Sequence, residues 1–229
     1  MGGSFDNDII AGWNKRHRVV VVQDELEGAI ESLRLTDGHF EYTTIGGVEP
    51  QGLCGSGLID LLAELRRNGG MTPKGVFQNK VYELSIVPER GITFSREDAS
   101  NLAQAKAANY CGQMIVLRKF GINPRDITKL YLAGGFANYV NVRNAIEIGF
   151  LAPVPEERIE KIGNASVQGA KEVLLSRRKR QTVEGLVKQI EHVELETTPD
   201  FFEVFVEGCQ FKPMPEVLDA TAATTLLRA

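Results

Sequence analysis

Lys129-Leu130-Tyr131-Leu132-Ala133-Gly134-Gly135-Phe136-Ala137-Asn138-Tyr139 sets the fold class of this chain. Lys129-Leu130-Tyr131-Leu132 has the pattern of a short buried strand, and it runs directly into two glycines. Glycines at the carboxyl end of a strand let the backbone approach a ligand closely, where α/β proteins bind them. Gly-Gly after a strand is also a common structural turn, so the residues by themselves leave both readings open.

Working outward, Asn141 is placed to cap a short helix containing Val142, Ala145, Ile146 and Ile148, which ends at Gly149. Upstream, Ser95-Arg96-Glu97-Asp98 matches a capping box. From there Ala99, Leu102, Lys106 with Ala107, Tyr110, Met114, Leu117 and Phe120 recur at three and four, predicting a helix of about six turns that Gly121 terminates. Downstream, Gly163-Asn164 opens a helix through Ala165, Val167, Ala170, Val173 and Leu174, and residues 183–190 read as helical. His192-Val193-Glu194-Leu195 reads as a strand. Asp200-Phe201-Phe202-Glu203 again has capping-box spacing, before Val204, Phe205 and Val206. Residues 95–206 thus form an α/β unit.

The amino-terminal part adds Val19-Val20-Val21-Val22, a β-branched run that would begin the sheet, and two alternating segments, 30–35 and 40–45, joined by the turn Thr36-Asp37-Gly38-His39. These predict a hairpin. Gly46 and Gly47 break its second strand. Gly52-Leu53-Cys54-Gly55-Ser56-Gly57 precedes a helix over 58–65. Residues 69–91 read as loops with a short strand such as 80–85, and residues 216–229 form a tail rich in Ala, Thr and Leu.

Amides and the Ser56 hydroxyl before the 58–65 helix make an anion site by geometry, with helix capping by Ser56 as the alternative. The loop lacks the Gly-Lys-Ser/Thr ending of a P-loop and the spacing of a dinucleotide fingerprint. Cys54 is expected to be a small buried side chain. The pairs Asp60 with Glu64 and Glu156 with Glu160 are expected one turn apart on helices, lining solvated faces. Phe201, Phe202, Phe205 and Phe211 are expected to supply core or partner surface. Arg177-Arg178-Lys179-Arg180 reads as a solvated helix end able to attract an acidic partner, and Gly163-Asn164-Ala165-Ser166 as a capping junction or a ligand contact.

The chain has 229 residues, 43% apolar and 24% charged, enough for a real core, and its formal charge of −4 argues against a dedicated nucleic-acid binder. Three scattered cysteines and three histidines support neither a disulfide framework nor a clustered metal site. With no apolar run of about 18 residues, no membrane contact is expected, and the location expected is the cytoplasm.

In combination, Gly28-Ala29-Ile30, Thr44-Ile45-Gly46-Gly47, Gly52 to Asp60, Leu132 to Tyr139, Asn144 to Gly149 and Ile162-Gly163-Asn164-Ala165 resemble the carboxy-terminal region of the ATP-dependent reductive activators of corrinoid proteins. The resemblance implies an α/β fold: a lobe of an actin-like (ASKHA, ribonuclease H-like) ATPase domain, a mixed sheet flanked by helices. It runs over residues 28–213, with an atypical segment at 1–27 and a tail at 214–229. It further implies ATP with Mg²⁺ as cofactor, Gly134, Gly135 and Phe136 in the adenosine-binding loop, and Gly46, Gly47, Gly55 and Ser56 in the same lobe near the nucleotide cleft. The implied partner is a corrinoid protein. The family's amino-terminal [2Fe–2S] domain and its Asp-Ile-Gly-Thr phosphate strands are absent from this sequence, which resembles a truncated or split activator keeping most of the second lobe. A separate chain would then carry the first lobe and the iron–sulfur domain, and self-association through apolar cleft surface is plausible. The competing readings are a noncatalytic interaction module that kept the fold and an actin-like small-molecule kinase, the latter with no acceptor-site base that can be placed.

Overall fold

The computed structural model describes residues 27–217, and the chain divides at Ser100 into two compact units. The expected strand at 19–22 and most of the tail lie outside the described residues.

In the first unit, β1 (Ala29–Thr36) and β2 (His39–Thr44) form the expected antiparallel hairpin, in register from Leu33 opposite Tyr42 to Thr36 opposite His39. Asp37 and Gly38 turn it with φ of 49° and 82°, a left-handed pair whose twist matches that of the flanking strands. On the other edge of β1, β3 (Gly52–Leu53) pairs in parallel with Ala29 and Ile30 only, which makes the three-stranded sheet mixed.

Past Ile30 that edge is served by a helix. α1 (Gly55–Arg67) turns Asp60 and Glu64 onto β1, where Asp60 Oδ2 accepts from the Leu33 amide and Glu64 Oε2 from the Leu35 amide, each at 3.2 Å. Both residues are only 5% exposed, so the expectation of a solvated face is overturned. Buried amides need acceptors, and two carboxylates one helical turn apart supply them where no strand does. Glu64 also accepts from Arg67 Nη1 at 2.5 Å and from Asn68. The glycine patch serves the same packing. A Cβ on Gly57 would lie 2.2 Å from the Ile30 carbonyl oxygen, so only glycine lets α1 start this close to β1.

β4 (Glu83–Val87) and β5 (Ile92–Ser95) form a second, antiparallel pair, over which the Phe94 ring meets Phe77 at 5.9 Å. The strand starts at Glu83, not at residue 80, because Asn79 and Lys80 both take positive φ in a turn. α2 (Arg96–Phe120) follows, and its capping box forms as expected: Asp98 Oδ2 accepts from the Ser95 amide and Ser95 Oγ from the Asp98 amide.

In the second unit Tyr110, Cys111, Met114 and Ile115 of α2 form a core cluster with Ala152, Val154, Val204 and Met214. β6 (Leu130–Ala133) pairs in parallel with β7 (Ile159–Gly163). Between them run α3 (Gly135–Tyr139) and α4 (Val142–Glu147), the latter capped by Asn141 and stopped at Gly149 with φ 73°. α5 (Ala165–Leu175), capped by Asn164, is followed after one residue by α6 (Arg177–Val187), which begins six residues earlier than the helical pattern suggested. α7 (Phe201–Gly208) closes the unit.

Three further expectations fail here. Residues 192–195 are not a strand; Val193 and Leu195 turn inward onto the core cluster from an irregular segment, and alternation reports one-sided burial as faithfully as pairing. Asp200 does not cap α7 with its side chain, which is held instead by Arg118 at 2.7 Å. Glu156 lies in a short 3₁₀ turn and Glu160 in β7, so they share no helix. The four phenylalanines divide: Phe211 is fully buried, Phe201 and Phe205 pack on the core cluster, and Phe202 is 71% exposed.

Lys106, on the apolar stripe of α2, is 3% exposed. Its ammonium lies over the rings of Tyr110 at 5.4 Å and Phe211 at 5.9 Å and reaches the Gly149 carbonyl at 3.5 Å. Burial pushes it down to about 8, against the opposing pull of Cys209, Glu207 and Cys111. Burial likewise pushes Tyr110 up to about 12 and raises both the Cys111 and Cys209 thiols.

Two predictions follow from these buried charges. Asp60→Ala leaves the Leu33 amide without this acceptor and costs roughly 2 kcal/mol in urea unfolding, whereas Asp60→Asn, which keeps a carbonyl acceptor, costs less; equal losses would contradict the role given to the carboxylate. Lys106 has a folded pKa below its unfolded value, so between about 8 and 10.5 only the unfolded chain keeps the proton and this residue adds stability as pH rises. The stability difference between wild type and Lys106→Met should therefore shift in favour of wild type across that window, by an amount on the order of a few kcal/mol. A difference that stays flat from pH 7 to pH 10 would contradict it.

Candidate functional site

The turn from β6 into α3 is built on a residue that must be glycine. Gly134 has φ 103° and ψ 163°, a conformation closed to residues with a Cβ, and its amide donates to the Gly163 carbonyl at 2.7 Å. That bond joins the carboxyl ends of two adjacent parallel strands, the position at which α/β sheets present loops to ligands. Gly135 differs. Its φ is not positive, and a Cβ built on it meets nothing within 4 Å among the described residues. Neither backbone conformation nor packing explains the missing side chain there.

Phe136 follows, 43% exposed, with its ring in a T-shaped contact with Phe150 at 5.9 Å and 77°. Lys161 of β7 fixes the far end of α3 by donating to the carbonyls of Asn138 at 3.1 Å and Val140 at 2.8 Å. Across the strand pair, Gly163 (φ 63°) and Asn164 form the turn into α5, and Asn164 Oδ1 accepts from the Val167 amide at 3.0 Å. The junction at 163–166 is therefore a helix cap, and it also abuts the Gly134 turn. The partnership of Gly134 with Gly163 and of Phe136 with Phe150 was not legible in the sequence; the signal that pointed toward it was a glycine at the end of each strand.

The remaining candidate residues lie in the first unit. Gly46 and Gly47 occupy a 3₁₀ turn after β2 with φ of 80° and 64°; a Cβ on Gly46 would touch the Glu27 side chain at 3.3 Å, and one on Gly47 would meet nothing. Gly55 begins α1. Ser56 is 3% exposed and donates its hydroxyl to the Glu31 carbonyl at 2.7 Å. Ser56 thus does not cap the helix: the cap position is Cys54, which makes no side-chain cap bond. Cys54 is partly exposed, not buried as expected, with its sulfur against the Ile30 carbonyl (3.3 Å) and Ser56 Oγ (3.1 Å).

Among the described residues no group of three or more His, Cys, Asp or Glu is arranged to hold a metal ion, and no helix is long and apolar enough to cross a membrane. Arg177 to Arg180 are exposed at the start of α6, where Lys179 pairs with Glu172 at 2.8 Å.

Residues 24–218 match the family model described as the C-terminal domain of RACo, the ASKHA domain. A corrinoid activation enzyme, RamQ, of Eubacterium limosum is 31% identical over 208 residues, 80% of this chain and 35% of that protein. A [Co(II) methylated amine-specific corrinoid protein] reductase of Methanosarcina barkeri is 25% identical over 186 residues, 80% of this chain and 33% of that protein. Among solved structures, a reductive activator for corrinoid, iron-sulfur protein superposes with a TM-score of 0.72 at 32% identity, over 82% of this chain and 33% of the other. The chain spans about a third of the length of these relatives. With its glycine turn at the ends of two parallel strands and a matching family model over most of its length, the chain belongs to the family of the RACo carboxy-terminal ASKHA domain.

Proposed function

We propose that this chain supplies the adenosine side of a nucleotide cleft in an ATP-dependent reductive activator of a corrinoid protein. The observation that carries the reading is Gly135: a position with no conformational need for glycine and, among the described residues, no neighbour to make room for, beside a glycine that the backbone does require. A ligand approaching the main chain accounts for that pairing. In this reading the backbone of Gly134 and Gly135 bounds the niche, and part-exposed Phe136 gives it an apolar wall. The lobe covers residues 28–213. Gly46, Gly47, Gly55 and Ser56 belong to the same lobe, with Ser56 holding α1 against β1 through Glu31.

ATP with Mg²⁺, when bound, supplies the free energy that drives corrinoid reduction. The residues present suit the adenosine end. Among the described residues no set of carboxylates gathers for the metal, and phosphate with Mg²⁺ needs groups from both sides of a cleft. A [2Fe–2S] cluster needs four ligands, usually cysteines; three scattered cysteines do not fit it, so the electron comes from another domain or chain. Binding without turnover is therefore the activity assigned to these residues alone. The corrinoid protein and a chain carrying the first lobe are the partners, and the cytoplasm is the location.

Calorimetry with ATP and ADP on the folded chain tests the reading. The expected result is weak binding of both nucleotides and no hydrolysis. Gly135→Leu should weaken binding at least about tenfold with its melting temperature unchanged, while Gly134→Ala should destabilise the chain by roughly 1–3 kcal/mol. Absence of binding at millimolar nucleotide, or a Gly135→Leu chain that binds as wild type does, would refute the niche. Hydrolysis by the chain alone would refute the assignment of binding without turnover.

A further inference from the structure

Phe150, whose ring meets that of Phe136, is held through both of its peptide groups. Gly149 before it takes φ 73°, and a Cβ there would lie 2.2 Å from the Lys212 carbonyl oxygen, so the turn out of α4 must be glycine. The Phe150 amide donates to the Ala145 carbonyl at 2.8 Å, and the Leu151 amide to the same oxygen at 3.1 Å. The Phe150 carbonyl accepts twice, from Asn109 Nδ2 at 2.7 Å and from Gln113 Nε2 at 3.0 Å. Gln113 Oε1 then accepts from the Ala152 amide at 2.8 Å, so one side-chain amide spans residues 150 and 152 as a neighbouring strand would.

These bonds come from one face of one helix. Lys106, Asn109 and Gln113 stand at i, i+3 and i+7 on α2, and Lys106 reaches the Gly149 carbonyl one residue before the two amides reach Phe150. The Asn109 bond lies at the exposed margin of the unit, where water alone would satisfy the carbonyl. Two protein donors on one oxygen do what water does not: they fix the direction of the peptide plane. With the planes on both sides of Phe150 fixed, the direction of its Cα–Cβ bond follows, and with it the place of the ring that lies 5.9 Å from the Phe136 ring at 77°. Phe136 is itself 43% exposed, so a firm neighbour on its covered side decides how its ring stands.

We propose that Asn109 and Gln113 are positioning residues for the nucleotide niche: through the Phe150 backbone they set the Phe150 ring, and that ring sets the orientation in which Phe136 meets the ligand. Neither amide bonds Gly134, Gly135 or Phe136 among the described residues, so both act through Phe150. The ligand part of the proposal rests on the reading of that niche as an adenosine site; the link from α2 to Phe136 does not.

Two measurements on the folded chain separate the link from the ligand. With phenylalanine rings isotopically labelled and the Phe136 signal assigned by its loss in Phe136→Leu, Phe150→Leu removes the neighbouring ring current and should move that signal. Asn109→Ala and Gln113→Ala should each move it in the same direction. Calorimetry with ADP reads the consequence. Asn109→Ala combined with Gln113→Ala should weaken binding roughly three- to tenfold, and the same pair of changes in a Phe136→Leu background should alter it by less than about twofold. Asn109→Ala alone, losing one bond at the exposed margin, gives a smaller effect of the same sign should the double variant not fold. General loosening of the fold would weaken binding equally in both backgrounds, so equal losses would overturn the proposal, as would a Phe136 signal that stays in place in the Asn109→Ala and Gln113→Ala chains. A wild-type chain that binds no ADP would refute the adenosine reading and with it the ligand part of the proposal, while the ring signals decide the link.

Discussion

The hydrogen bond from the Gly134 amide to the Gly163 carbonyl fixes how the two parallel strands of the second unit end. Everything attached to those ends depends on it. Gly134 donates this bond at a φ of 103°, and the chain that leaves it enters α3 with Gly135 meeting no described neighbour. Lys161 ties the exit of α3 back to β7, and Phe150 supports Phe136 through a T-shaped ring contact. A side chain at 134 is excluded by the backbone, whereas a side chain at 135 is excluded by nothing among the described residues. The functional reading grows from that difference.

Elsewhere the fold solves the reverse problem, placing charge where water is scarce. Asp60 and Glu64 act as a substitute strand, offering carboxylate oxygens to amides of β1 beyond the two residues that β3 covers. Lys106 has aromatic faces and one carbonyl instead of a carboxylate, and its lowered pKa records the difference. Carboxylates that accept from buried amides contribute to the fold; an ammonium whose burial outweighs the pull of its neighbours is carried at a cost.

Much of this was legible in the residues because the signals were local. Asp37-Gly38 specified the hairpin, Ser95 with Asp98 the start of α2, Asn141 and Asn164 two helix caps, and the 129–135 stretch both β6 and the turn after it. The features that were not legible depend on residues far away in sequence. Asp200 has the spacing of a cap, but Arg118, 82 positions earlier, takes its carboxylate. Asp60 and Glu64 have the spacing of a solvated pair, and only the unfilled edge of a strand 27 to 29 residues away reveals their use. Ser56 has the place of a helix cap and donates instead to the Glu31 carbonyl of β1. Lys106 alone gave a warning, being a charged residue counted on an apolar stripe.

In the function proposed for this chain, a nucleotide meets the main chain at the β6 turn. Amide chemical shifts of an isotopically labelled chain, followed while ADP is added, test it at the atoms concerned. The resonances of Gly134, Gly135 and Phe136 should move together and saturate at one ligand per chain, with Gly163 following through its bond to Gly134. Saturable shifts elsewhere with these four unmoved would show that the nucleotide binds at another place, and the claim would fall.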